Sequence, residues 1–282
     1  RNHSSAASDV YKRQAQRAGL AVTAPFSRHT NISTMKTPPK NEYPRPNLKR
    51  AHWLNLNGQW GFATDPDNLG IRQQWWLRKK WPETITVPFC PNSPASGVQI
   101  DPDITTVWYH RTFELPDWAS ADVVLNIGAC DYHSQIYINS QQAGEHQGGY
   151  TPIHLSIGDY LKPGTNHIVV RATDSDSWQQ PRGKQEGTTR WPIDYDAVIG
   201  IWQSVWLEPT NAVHITHLGS HYDLRAQQLH LTCTLSDQFH GQLTAHLRTN
   251  DLDVAATSAE GQARSELPVS YTHLTLPTNG CV

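Results

Sequence analysis

The sequence has a single methionine, no long run of like charges and no apolar stretch near the roughly 20 residues that span a bilayer. Lysine and arginine (23) nearly balance aspartate and glutamate (25), for a net charge of −2. With no basic stripe, neither nucleic acid nor an anionic membrane is expected as a partner. The four cysteines, Cys90, Cys130, Cys233 and Cys281, lie far apart and form no C-x-x-C pair. This sets aside a zinc or redox motif and leaves a disulfide framework unsupported. The fifteen histidines are scattered, with no H-E-x-x-H or comparable spacing, so neither a metal nor a cofactor is expected. His214 and His217, for instance, would point to opposite faces of a strand.

What the chain does have is tryptophan, eleven residues in 282, set among frequent glycine and proline. A Trp-rich, turn-punctuated, helix-poor chain suits a β-sandwich. Most of the indoles then read as core, and an exposed one suits contact with a sugar ring.

The two ends carry a relationship that a folded domain does not require. Ser4–Gln14 (SSAASDVYKRQ) can be written in codons whose reverse complement, read from its third base, encodes Val269–Thr278 (VSYTHLTLPT). The DNA resembles a transposase-type sequencing adapter read in opposite directions at the two ends. Residues 1–34 are therefore expected to be adapter-derived and upstream non-native sequence, and 268–282 an adapter-derived tail. On this reading Met35 is the native start, and the natural chain continues past Leu267. Nothing after Met35 resembles a signal peptide, which points to a cytoplasmic location.

From Met35 to about Arg50 the chain is a polar, Pro-rich lead-in. Period-two patterns follow. GQWGFAT sets Trp60 and Phe62 against Gly61 and Ala63. TVWYHRTFE sets Val107, Tyr109, Arg111 and Phe113 against Trp108, His110 and Thr112. ETITVPF, ADVVLNIGA, SQIYINSQQ, TPIHLSI, NHIVVRATD and GIWQSVWLEP complete about nine strands at sandwich spacing. IGDYLKPGTN reads as a tight helical turn. The expected fold class is all-β: a jelly-roll, galactose-binding-like sandwich over 35–209, then a partial immunoglobulin-like sandwich over 210–267. In the latter, three strands are legible, and any others must lie in VAATSAEGQARSEL.

Several segments, in order, carry a resemblance: YPRPNLKRAHWLNLNGQWGF, VPFCPNSPASGV, WYHRTFELP, DYHSQIYINSQQAGEHQGGYTPIHLSIGDYLKPGTNHIVVRATD, PRGKQ and GIWQSVWLEP. Together they resemble the N-terminal sugar-binding domain of glycoside hydrolase family 2, the β-galactosidase and β-glucuronidase family. The resemblance covers roughly Tyr43–Pro209, and the chain to Leu267 fits that family's following immunoglobulin-like domain. It implies a parent enzyme that hydrolyses β-glycosides with retention. Such chemistry uses two carboxyl groups about 5–5.5 Å apart, carried in this family as glutamates on a C-terminal (β/α)₈ barrel. No strand–helix alternation occurs in this sequence, so no catalytic residue is expected in it. The implied partners are a β-glycoside and the missing barrel; a homo-oligomeric parent stays open.

The stretch RWPIDYDAVIGIWQSVWLEP holds the residues of most interest. Relatives resembling β-galactosidase lend an aspartate to the sugar pocket shortly before the Gly-Ile of this last strand. The matching position is Asp194, six residues before Gly200, although much of the family has no acid there. Asp196 shares its face if the chain is extended. The other reading of both is a turn whose Asp side chains bond nearby backbone N–H groups. Trp191 could stack on a sugar or pack in the core. Arg182 and Lys184 in PRGKQ could meet sugar hydroxyls or a neighbouring domain, or simply sit on a solvated loop. Glu208 ends a strand and reads as a surface residue. The function expected is the non-catalytic N-terminal fragment of a retaining β-glycosidase; the alternative is a free-standing carbohydrate-binding or adhesion module of the same fold.

Overall fold

The computed structural model describes residues 37–118, 122–175, 179–186, 195–226, 228–237, 242–249, 252–260 and 264–270. Among the described residues, fourteen short strands precede the second sheet system. They are β1 (Leu54–Asn55), β2 (Gly58–Thr64), β3 (Glu83–Val87), β4 (Thr106–Glu114), β5 (Val123–Ile127), β6 (Cys130–Asp131), β7 (His133–Ile138), β8 (Gln141–Gln147), β9 (Ile153–Ser156), β10 (Thr165–Thr173), β11 (Gln185–Glu186), β12 (Tyr195–Asp196), β13 (Gly200–Ile201) and β14 (Val205–Pro209). After them come β15 (Ile215–Asp223), β16 (Gln228–Leu235), β17 (Gln242–Thr249), β18 (Leu252–Glu260) and β19 (Arg264–Ser270).

A four-stranded sheet, β1-β14-β5-β9, packs on a six-stranded one, β3-β2-β4-β10-β7-β8. Every pairing within these two sheets is antiparallel. The alternation read in the sequence sets which side chains face inward. Trp60, Phe62, Val107, Tyr109, Phe113, Ile136 and Ile138 meet Leu125, Ile127, Val205 and Leu207 between the sheets. This is the all-β sandwich expected. Burying such side chains contributes roughly 1.5–3 kcal/mol each. Among the described residues, no helix is long and apolar enough to cross a membrane.

The opposite phase builds a second, smaller cluster outside the six-stranded sheet. Trp108, Tyr137, Val169 and Ala63 are covered there by the β2–β3 connection, through Trp75, Trp76 and Trp81. Asp65 fixes that connection. Its carboxylate accepts from Leu69 N–H (2.7 Å), Gly70 N–H (2.9 Å) and the Trp108 indole N–H (3.0 Å). A carboxylate bonded in this way satisfies otherwise orphaned donors in a buried turn. Trp76 lies parallel to the Tyr137 ring with centroids 4.8 Å apart, and the Arg78 guanidinium sits 3.4 Å above the Trp75 ring. The sequence thus contributes tryptophans to two cores, one on each face of a single sheet.

One expectation fails. Glu208 is not a surface residue: it is 1% exposed. Its carboxylate accepts from the Tyr43 hydroxyl (2.5 Å) and the Trp206 indole (3.3 Å), pairs with Arg45, and lies 3.3 Å from Arg50 Nε. The Pro-rich lead-in is therefore bolted onto the end of β14, and Arg50 continues to the Ile215 carbonyl at 3.0 Å. Its own burial first, and the Glu208 carboxylate second, push the Tyr43 hydroxyl up to about 12. Local pattern does not show this, because Tyr43, Arg45 and Arg50 come from a segment more than 150 positions earlier.

Beyond β14, β15-β16-β19 form a three-stranded sheet and β17-β18 a hairpin. VAATSAEGQARSEL supplies strand residues to both β18 and β19. β19 runs on to Ser270, so its pairing with β16 passes the expected Leu267–Pro268 boundary.

Candidate functional site

One end of the sandwich gathers polar groups from several connections. A cavity of about 570 Å³ opens there, lined by the β3–β4 loop (Asn92 and 99–105), by Asp174 and Ser175 after β10, and by Asp196–Ile199 between β12 and β13. Among the described residues that line it, four are aspartates, Asp101, Asp103, Asp174 and Asp196, and none is a lysine or arginine. Asp101 shapes its own loop by accepting from the Asp103 N–H at 2.9 Å, and the Asn92 side-chain oxygen accepts from the Ile100 N–H at 2.6 Å. Such a rim presents hydrogen-bond acceptors, which suits hydroxyl-rich ligands.

Of the residues singled out in the sequence, Asp196 lines this cavity, at the exposed end of β12. Arg182 is half-buried and Lys184 exposed, both just before β11 and outside the lining. The Lys184 carbonyl accepts from the Tyr195 N–H at 3.1 Å, so this segment forms the outgoing limb of the loop whose return is β12. β11 and β12 pair in parallel, Gln185 opposite Tyr195 and Glu186 opposite Asp196. Trp191 and Asp194 lie outside the described residues.

The structure also brings in residues that the sequence reading passed over. Asp131, at the end of β6, is 3% exposed, with Asp174 nearby. Burial first and the Asp174 charge second push its carboxyl up to about 6, while a hydrogen bond from Gln185 acts the other way. Gly149 packs so closely on Asp131 Oδ1 that a Cβ there would collide with it. Trp202 holds this glycine from the other side, donating its indole N–H to the Gly149 carbonyl at 2.8 Å. Tyr150 and Tyr195 are the exposed aromatics of this end, at 54% and 55%. Tyr150 sits edge-on to Trp202, with centroids 6.0 Å apart. Gly200, which opens β13, has φ of +83°, and a Cβ there would overlap the Tyr109 hydroxyl. That hydroxyl accepts from the Ile201 N–H at 3.3 Å. The Gly-Ile step thus needs glycine to bring the returning loop onto the core. HQGGY held the one sequence signal for the missed tyrosine: paired glycines before an aromatic, which permit close backbone approach.

Comparison with known proteins places this arrangement. The model for "Glycosyl hydrolases family 2, sugar binding domain" matches residues 54–210, which span the sandwich from β1 through β14. A β-glucuronidase of Paenibacillus borealis is 31% identical over 145 residues, 49% of this chain and 23% of that protein. A β-glucuronidase of Canis lupus familiaris is 26% identical over 259 residues, 80% of this chain and 39% of that protein. The chain therefore spans well under half the length of these curated relatives. Among solved structures, the ligand-free β-glucuronidase of Ruminococcus gnavus superposes with a TM-score of 0.66 at 20% identity, over 83% of this chain and 41% of that one. That likeness speaks for the fold. With the family model matching the whole sandwich, the chain belongs to family 2 of the glycosyl hydrolases and carries that family's sugar-binding domain.

Proposed function

We propose that this chain is the N-terminal, non-catalytic portion of a retaining β-glycosidase of the β-galactosidase and β-glucuronidase type. In this reading the acidic rim formed by 99–105, Asp174 and Asp196–Ile199 is its sugar-facing wall. The observation that carries the reading is the convergence of the β11–β12 return, with Asp196, on a cavity bordered by acceptors. Asp194 immediately precedes this return and is its first-choice sugar contact; Asp196 and Trp191 are the next, and Arg182 and Lys184 serve the outer limb. The carboxyl pair that cleaves the glycosidic bond belongs to a barrel elsewhere in the parent protein. A wall that binds ground state and transition state equally well raises affinity without accelerating the chemistry.

The proposal includes the ends. Residues 1–34 and 268–282 are adapter-coded or upstream sequence, and 210–267 is the first part of an immunoglobulin-like domain. Ladder pairing uses main-chain groups common to nearly all residues, so adapter-coded residues can extend β19 as far as Ser270. Reading the source gene past the codon for Leu267 tests the whole reading. A following barrel with a Glu preceded by Asn at a strand end supports it. A stop codon would favour a free-standing carbohydrate-binding module.

A further inference from the structure

Gln185 is 7% exposed and lies in β11, which pairs with the β12 strand that bears Asp196. Its side-chain Oε1 accepts from the Val198 N–H at 2.6 Å. Its Nε2 donates to the Tyr150 hydroxyl at 3.1 Å and lies 3.5 Å from Asp131 Oδ2. These three partners come from different places: the returning limb of the loop, the β8–β9 turn and the end of β6. One amide therefore joins the outgoing limb to the returning one and ties both to the scaffold. The backbone adds Tyr195 N–H to the Lys184 carbonyl and Gln185 N–H to the Arg182 carbonyl.

The residue type matters. A primary amide offers one acceptor and two donors on a single uncharged planar head at every ordinary pH. A glutamate keeps an accepting oxygen, but its negative charge is repelled by Asp131, which drives the head off the Val198 N–H. A leucine of similar bulk would leave Val198 N–H, Tyr150 and Asp131 without this partner. Asp131 in turn cannot move away, because Gly149 is packed against it and is held by Trp202.

We propose that Gln185 is a positioning residue: its buried amide sets the placement of the 195–199 rim, and through it the geometry with which this end of the sandwich meets a sugar. The inference rests on the reading of that rim as the sugar-facing wall, and the test separates the two.

The experiment uses the 282-residue chain and its Gln185→Ala and Gln185→Glu variants, with amide hydrogen exchange followed residue by residue. In Gln185→Ala, the Val198 amide should exchange about tenfold faster or more, as a buried donor loses its acceptor. Tyr109 and Val170, in β4 and β10, should keep their protection. In Gln185→Glu, the same loss should appear near pH 8 and reverse as the pH is lowered to about 5. Among the described residues, Asp131 faces this position, with Asp174 behind it; protonation restores a donor and removes the repulsion. Unchanged exchange at Val198 in Gln185→Ala overturns the proposal. So does a loss spread equally over Tyr109 and Val170, or a Glu variant without pH-dependent recovery. Titration with methyl β-glucuronide and methyl β-galactoside provides the second arm. If Val198 loosens but wild type binds neither sugar, the positioning role stands and the sugar-wall reading falls. If wild type binds a sugar and Gln185→Ala binds it unchanged, the positioning role falls.

Discussion

Replacing Glu208 by glutamine tests how the lead-in is held. The substitution keeps the volume and one acceptor but removes the charge that faces Arg45 and Arg50 and accepts from Tyr43 and Trp206. Breaking a fully buried ion pair by removing one partner costs about 3–5 kcal/mol, because the other charge is left without compensation. Here the two arginine side chains keep 23% and 21% of their exposure, so water can solvate them in part. We therefore expect about 2–3 kcal/mol. For a body of this size each kcal/mol moves Tm by about 2–4 °C, giving a drop of roughly 4–12 °C in a calorimetric or circular-dichroism melt. Because the carboxylate is buried, the difference between the two proteins should persist in about 0.5 M salt, where exposed pairs are screened. A drop of less than about 1 °C, or one that vanishes with salt, would instead mark the cluster as a solvated pair with little hold on the lead-in.

Asp131→Asn should stabilise the chain at pH 7.5 by about 1–3 kcal/mol, since burial and Asp174 hold this carboxyl up at about 6 against an ordinary 3.8. The folded state takes up its proton before the unfolded state does, so this group adds stability as pH falls from about 6 to about 4; the advantage of the Asn variant should shrink over that window in urea titrations. Gly200→Ala should cost about 2–4 kcal/mol, combining a positive φ with overlap on the immobile Tyr109 hydroxyl. The isolated chain should leave nitrophenyl β-galactoside and nitrophenyl β-glucuronide at blank rates, since no acid/base and nucleophile pair is expected in it. Turnover abolished by Asp194→Ala or Asp196→Ala would overturn that expectation.

Most of the sandwich was legible because period-two alternation is local. β4 is the clearest case: Val107, Tyr109 and Phe113 face the main core and Trp108 the outer cluster, as the alternating pattern requires. The helical turn in IGDYLKPGTN likewise appears as a 3-10 turn at Gly158–Tyr160. The pattern from Gly200 to Pro209 was read as one strand. The structure divides it into β13 and β14, with Trp202–Ser204 between them, because the chain changes partner from β6 to β5 there. Ile201, Val205 and Leu207 still face the core, so alternation alone could not show the break. The covering role of Trp75, Trp76 and Trp81 has no period at all; it depends on Asp65 folding a connection back over the sheet.

The site was less legible for the same reason. Asp196 stood out because it lies beside a recognisable Gly-Ile strand start. Gln185 did not, although it sits inside PRGKQ beside the two residues that were chosen. Charged heads attract notice in a sequence, whereas an amide acquires its role only when Asp131, Tyr150 and Val198 converge on it. Asp131 and Glu208 are ordinary acids in sequence. Their burial follows from strand pairing, which residue type does not reveal.

In the proposed function, the end of the sandwich bearing Asp101, Asp174 and Asp196 faces a sugar. Its most direct test is a titration of the isotopically labelled chain with methyl β-glucuronide and methyl β-galactoside, followed by backbone amide shifts. Weak, saturable changes confined to 99–105, Asp174–Ser175 and 195–199 are expected. Changes that cluster instead on the outer face of the six-stranded sheet, around Trp76 and Trp81, or no change at all up to saturating sugar, would contradict that function.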